Sequence, residues 1–177
     1  MTPSAGPEIL VPSSALVALI GPAGAGKTTF AAAHFRPSEV LSSDQARLLV
    51  SDDEGDQSAS AAAFAVLYFI AARRARRGRL TVVDATNVRP PDRRRVLWLG
   101  ERYQRPTVAV VFALPLELCI ARDLARPGRQ VGAEVIRRQW GQMPKSSAAV
   151  VEEGFGAVHW FQSASDVASA VVRTDAG

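Results

Sequence analysis

The sequence holds a single cysteine, Cys119, so no disulfide can close within the chain and no multi-cysteine metal site can form. Cys119 lies in an apolar run, between Leu118 and Ile120, and reads as a core residue. The two histidines, His34 and His159, stand far apart without metal-ligand spacing and read as structural. No apolar run approaches the roughly 20 residues needed to cross a bilayer. The first such run, 16–20, has no basic segment ahead of it, so a secretory leader is not expected and a cytoplasmic location is. Lysine is nearly missing: among 21 basic residues only Lys27 and Lys145 are lysines. Arginine suits phosphate recognition, and GC-rich coding favours it too, so the residue that stands out is the retained Lys27.

What is present suffices for one folded domain. Hydrophobic residues make up 47% and charged residues 21% of 177 positions, enough to bury a core. Residues 1–14, rich in Pro, Ser and Gly, read as a flexible lead-in to a single domain at 15–177. The net charge of +4 favours a polyanionic partner such as nucleotide or nucleic acid.

Short apolar runs alternate with helical stretches. Strands are expected at 16–20, 40–43, 80–83, 107–114 and 157–161. Helices are expected at 28–35, 44–50, 59–77, 90–104, from Pro115, at 135–142 and at 166–172. Strands of Val, Ile and Leu without polar alternation are buried on both faces, and their alternation with helices predicts a parallel sheet in a doubly wound α/β fold. Functional loops then gather at the C-terminal edge of that sheet.

The run Gly21-Pro22-Ala23-Gly24-Ala25-Gly26-Lys27-Thr28 fits G-x-x-x-x-G-K-[ST] at every fixed position, between an expected strand and an expected helix. Its glycines let backbone N–H groups converge on phosphate oxygens at a helix N-terminus. Gly21, Gly24, Ala25, Gly26, Lys27, Thr28 and Thr29 are the candidate nucleotide-binding residues, with Lys27 reaching the β- and γ-phosphates and the Thr28 hydroxyl ligating Mg²⁺. ATP, or another nucleoside triphosphate, and Mg²⁺ are thus the expected cofactors.

Such a loop does not say where the phosphoryl group goes. Asp44 and Arg47, three residues apart, share a helical face after the second strand. There a carboxylate could accept the proton of an attacking hydroxyl and an arginine could hold the acceptor, or the pair could be a helix cap with a solvated arginine. The run 80–83 ends at Asp84, the pattern of a metal-orienting acid, with Thr86 and Asn87 offered to the acceptor; an Asx turn is the alternative. Arg122, Arg126 and Arg129 beside Pro127-Gly128 could be a lid closing on the triphosphate, or a solvated basic turn. The cluster Arg73, Arg74, Arg76, Arg77 and Arg79, and the run Arg93-Arg94-Arg95, read as solvated faces. Trp98, Trp140 and Trp160 read as core or half-buried packing, with Trp140 able to stack a base.

The run 21–29, the stretches His34-Phe35-Arg36-Pro37 and Ser42-Ser43-Asp44 with Arg47, Asp84-Ala85-Thr86-Asn87, Arg122 with Arg126, and Glu153-Gly154-Phe155 resemble the kinase module of bacterial polynucleotide kinase-phosphatases, from about 16 to 166. The resemblance implies a P-loop NTPase, adenylate-kinase-like, with a parallel sheet flanked by helices and an arginine-bearing lid. It also implies transfer of the γ-phosphate to the 5′-hydroxyl of DNA or RNA. Asp44 would then be the general base, Arg47 the holder of the acceptor's neighbouring phosphate, and Arg122 and Arg126 the catalytic lid arginines. Phosphatase and ligase modules are not expected in this chain, and 142–151 is poor in basic residues. A small-molecule P-loop kinase, acting on a nucleoside, antibiotic or sugar-nucleotide, is the alternative. An ATPase or switch without an acceptor is the second alternative.

Overall fold

The computed structural model describes residues 6–175. Five parallel strands form the central sheet in the order β3-β4-β2-β5-β6: β2 (Leu16–Ile20), β3 (Val40–Ser42), β4 (Thr81–Asp84), β5 (Thr107–Phe112) and β6 (Ala157–Phe161). Every residue of β2, β4 and β5 is buried, as expected for strands covered on both faces.

Because successive side chains on a strand point to opposite faces, each strand feeds two separate cores. Val17 and Leu19, Val82, and Val108, Val110 and Phe112 turn to one face, where they meet Phe30 of α1 (Lys27–His34), Cys119 of α5 (Leu116–Ala125) and Ile136 of α6 (Ala133–Gly141). Leu16, Ala18 and Ile20, Val83, and Ala109 and Val111 turn to the other. That face is covered by Ala46 of α2 (Ser43–Ser51), by Ala63, Leu67, Ala71 and Ala75 of α3 (Ser60–Arg76), by Val96 and Leu99 of α4 (Pro90–Tyr103), and by Val150 of α7 (Ser147–Glu152). The small alanines of α3 recur at i, i+8 and i+12, with Leu67 at i+4, and let this 17-residue helix lie close against the sheet.

Two segments depart from the sequence expectation. Glu8–Val11, expected within the flexible lead-in, forms β1 and pairs in parallel with β7 (Val171–Thr174). Ile9 and Val11 alternate inward and are almost fully buried in the first core, which is what fixes the segment. The lead-in's residues 1–5 lie outside the described residues. The expected helix at 166–172 is instead a short α8 (Ala164–Ser169) followed by β7.

Arg93, expected on a solvated face, is 1% exposed. Its guanidinium pairs with both carboxylate oxygens of Glu153 and donates to the carbonyls of Asn87 and Val88 at 2.9 and 2.7 Å. It therefore joins the loop after β4 to the turn after α7. Trp98 is 58% exposed and packs in neither core. His34 lies against the Phe30 ring at 4.5 Å between centroids.

Candidate functional site

The strand order reverses about β2, which lies between β4 and β5, and the glycine loop leaves the C-terminal end of β2 at that reversal. The loop's conformation is written into its glycines. Gly24 and Gly26 take φ of 76° and 91°, a region that side chains disfavour. A Cβ on Gly24 would also stand 2.1 Å from the carbonyl oxygen of Cys119 on α5. Gly24→Ala is therefore expected to displace the loop and weaken triphosphate binding tenfold or more, since left-handed strain alone costs about 1–2 kcal/mol. Calorimetric titration with ATP reads the effect, and an unaltered affinity would contradict it.

Lys27 is buried, with its ammonium donating to the Pro22 carbonyl at 2.8 Å. Burial pushes its pKa below the ordinary lysine value, and the charges of Asp84, Cys119 and Asp44 pull it back. Asp84, at the end of β4, accepts a hydrogen bond from the Thr28 hydroxyl at 2.8 Å. Burial pushes the Asp84 carboxyl above the usual carboxylate range, while Lys27 and the Thr28 hydrogen bond hold it down. Thr28 and Asp84 offer two hard oxygen donors side by side, which suits Mg²⁺, a cation that takes one or two protein oxygens and otherwise water and phosphate. Among the described residues no group of three His, Cys, Asp or Glu could hold a metal.

Ser42 caps α2 by accepting from the Gln45 N–H at 3.4 Å, and Asp44 sits in the first turn of the helix. Its side chain is 42% exposed and pairs with Arg47. Ser42 pairs with Asp84 across β3 and β4, so Asp44, two residues on, lies at the same sheet edge as Asp84 and the glycine loop, and its charge raises the pKa of Lys27 and of Asp84. Arg47 is not a free clamp. It is 7% exposed, and besides Asp44 it donates to the Glu54 carbonyl at 2.8 Å.

Of the expected lid arginines, Arg122 stands beside the glycine loop, 3.5 Å from where a Gly26 Cβ would be. Arg126 caps α5 and is exposed, without a side-chain partner among the described residues. Arg129 instead reaches across and donates to the Glu54 carbonyl at 3.1 Å. Thr28 and Thr29 are both exposed at the loop's mouth.

Asn87 does not face an acceptor. It is 1% exposed, adopts a φ of 49°, and its amide donates to the Leu19 carbonyl at 2.8 Å, stitching β4 to β2. Thr86 anchors the glycine loop through its backbone, its carbonyl accepting from the Gly21 N–H at 2.9 Å.

Two residues at the site escaped the sequence reading. Gln139 on α6 accepts from the Ala23 N–H of the glycine loop at 2.9 Å. The buried carboxylate of Asp123 accepts from the N–H groups of Val131 and Gly132, closing the loop 126–132. Asp123 carried a faint signal, as an acid set between Arg122 and Arg126 just before Pro127-Gly128. Gln139 carried none. Trp140 next to it is 43% exposed and donates to the Leu114 carbonyl at 3.0 Å. Ser163 and Asp166 cap α8, each side chain accepting from the other's backbone N–H.

A family model described as an AAA domain matches residues 16–149. Among solved structures, the chain superposes on a candidate kinase from Chloroflexus aurantiacus with a TM-score of 0.62 at 18% identity, covering 86% of each chain. It superposes on a gluconokinase from Sinorhizobium meliloti with a TM-score of 0.54 at 13% identity, covering 89% of this chain and 87% of that one. It matches the Mycobacterium tuberculosis APS kinase, solved with AMPPNP and APS, with a TM-score of 0.50 at 23% identity over 64% and 70%. No curated protein sequence matches the chain. The fold is the α/β fold of P-loop kinases, with a five-stranded parallel sheet flanked by helices. Among the described residues no helix is long and apolar enough to cross a membrane.

Proposed function

Because the chain belongs to the AAA domain family, we propose that it is a P-loop kinase that transfers the γ-phosphate of a nucleoside triphosphate to a hydroxyl group on a small molecule. The observation that carries this reading is the Asp44 carboxylate, held by Arg47 at the sheet edge where Ser42 pairs with Asp84 and Asp84 meets Thr28 of the glycine loop. A protein that only senses the triphosphate has no need of a held carboxylate there, and hydrolysis, which could use one to orient water, is separated by the assay below.

The same geometry argues for a small acceptor over a polynucleotide. A polynucleotide kinase would want Arg47 free for the phosphate next to the 5′-hydroxyl, whereas this guanidinium is buried and spent on Asp44 and Glu54. The neighbours named for gluconate and APS are of the same fold and fit that choice.

In this reading the N–H groups at the start of α1 and the Lys27 ammonium bind the β- and γ-phosphates. Thr28 and Asp84 would hold Mg²⁺, which supplies positive charge to the phosphate oxygens when bound. Asp44 accepts the proton as the acceptor oxygen bonds to the γ-phosphorus, and the bond from that phosphorus to the departing nucleoside diphosphate breaks. Arg122 at the loop, with Arg126 on the lid above it, balances charge on the transferring group.

The test incubates the protein with Mg²⁺ and γ-labelled ATP against sugars, nucleosides, aminoglycosides and a 5′-hydroxyl oligonucleotide. Label is expected in a small product, and Lys27→Ala is expected to lower that transfer by about 10²–10³-fold. Label on the oligonucleotide alone would restore the polynucleotide acceptor, and brisk hydrolysis with no labelled acceptor would remove the kinase.

A further inference from the structure

A second basic surface lies at the far end of the sheet from the glycine loop. A cleft of about 880 Å³ opens among the segments that lead into the strands, with Ser13 ahead of β2, Arg36 ahead of β3 and Arg79 ahead of β4. The C-terminal face of α3 forms its wall, where Phe69, Arg73 and Arg77 succeed one another one turn apart. This size lies within the range of ligand-binding clefts.

Its charge is one-sided. Arg36, Arg73, Arg74, Arg77 and Arg79 line it against two carboxylates, Glu39 and Asp175. Both carboxylates are engaged with backbone: Glu39 accepts from the Arg36 N–H at 2.9 Å and Asp175 from the Ser13 N–H at 2.6 Å. Arg74 is spent on structure, donating to the Leu80 carbonyl at 2.7 Å and the Thr81 hydroxyl at 3.2 Å. The four ion pairs among the described residues include none of Arg36, Arg73, Arg77 and Arg79, and all four of these arginines are exposed. Four unpaired guanidinium groups around one concavity repel each other, an arrangement that costs stability unless an anion is met there.

The cleft also carries an aromatic. Phe69 is 60% exposed, with the Arg73 guanidinium 4.7 Å from its ring centroid. Phosphate-matching forks along a groove, set beside an exposed ring, are the features that hold an unpaired strand by its backbone and stack its bases. A flat membrane surface would not enter the concavity.

We propose that this cleft is a binding site for single-stranded nucleic acid, separate from the phosphoryl-transfer site, with Arg36, Arg73, Arg77 and Arg79 on the backbone phosphates and Phe69 under a base.

The test is fluorescence anisotropy of a labelled oligothymidylate with the full chain across a salt series. Saturable binding that weakens with salt is expected. Arg73→Ala with Arg77→Ala should reduce affinity about tenfold or more and flatten the salt slope by about 0.7 for each phosphate no longer neutralised. Phe69→Ala should reduce affinity at least about fivefold without changing the slope, because stacking releases no counterions. Arg94→Ala with Arg95→Ala, exposed on α4, removes the same charge elsewhere and should leave binding intact. Absence of saturable binding would overturn the proposal. So would equal losses from the two arginine pairs, full affinity in the Phe69 variant, or retention by anionic vesicles with none by the oligonucleotide.

Discussion

Replacing Asp44 by Asn is expected to lower kcat by about 10²–10⁴-fold while leaving triphosphate affinity near normal, because a general base contributes in that range and acts only after binding. The substitution keeps the size of the side chain and its hydrogen bond to Arg47, so α2 and its Ser42 cap should persist. What would be lost, in the proposed role, is the negative charge that accepts the acceptor's proton. That charge also acts on Lys27 and Asp84, raising the pKa of each. In Asp44→Asn the Asp84 carboxyl and the Lys27 ammonium should therefore both titrate at slightly lower pH. Rapid-quench kinetics with a saturating acceptor, alongside calorimetric ATP titration, separates the two effects. A parallel collapse of ATP binding and transfer would place Asp44 in donor binding and remove it as the base.

Arg93→Ala is expected to destabilise the fold by about 3–5 kcal/mol, the usual result of breaking a buried ion pair by removing one partner. The guanidinium is 1% exposed, takes both oxygens of Glu153, and satisfies the carbonyls of Asn87 and Val88. Alanine would leave a partly buried carboxylate and two carbonyls without donors. For a chain of this size the loss corresponds to a fall in Tm of roughly 6–20 °C. Glu153→Gln should cost less, since an amide oxygen can still accept one of the two hydrogen bonds. The loop that Arg93 holds contains Asn87, which ties β4 to β2 below the glycine loop. Catalytic loss in Arg93→Ala should therefore exceed the unfolded fraction at the assay temperature. A Tm within about two degrees of the parent would show that Glu153 and the carbonyls find other partners.

The two regions that these variants probe differed in how readable they were. The glycine loop was plain in the sequence because its spacing encodes backbone conformation: Gly24 and Gly26 occupy the left-handed region that the motif demands. The five core strands were readable because runs such as Val108 to Phe112 are too apolar for any exposed position. The pair β1 and β7 was not, because each strand is four residues long, and in β1 only Ile9 and Val11 turn inward amid proline and serine. Arg93 was misread because a triplet of arginines looks like a wet surface. Its burial is decided by Glu153, sixty positions away. Gln139 was invisible for the same reason, since its partner Ala23 lies 116 positions earlier and the bond uses a backbone N–H that leaves no trace in side-chain type. The helix at 166–172 failed where Ala170 breaks into extended backbone, ending α8 after six residues.

The carbonyl of Glu54 takes hydrogen bonds from two guanidinium groups that come from different elements: Arg47 on α2 and Arg129 in the loop after α5. A single oxygen thus ties α2 and the segment after α5 to one acidic loop. Were the proposed transfer to bring an alcohol to Asp44, any movement of this loop would strain both bonds together. The tie is made by the backbone of Glu54, so exchanging that residue's side chain should leave it in place.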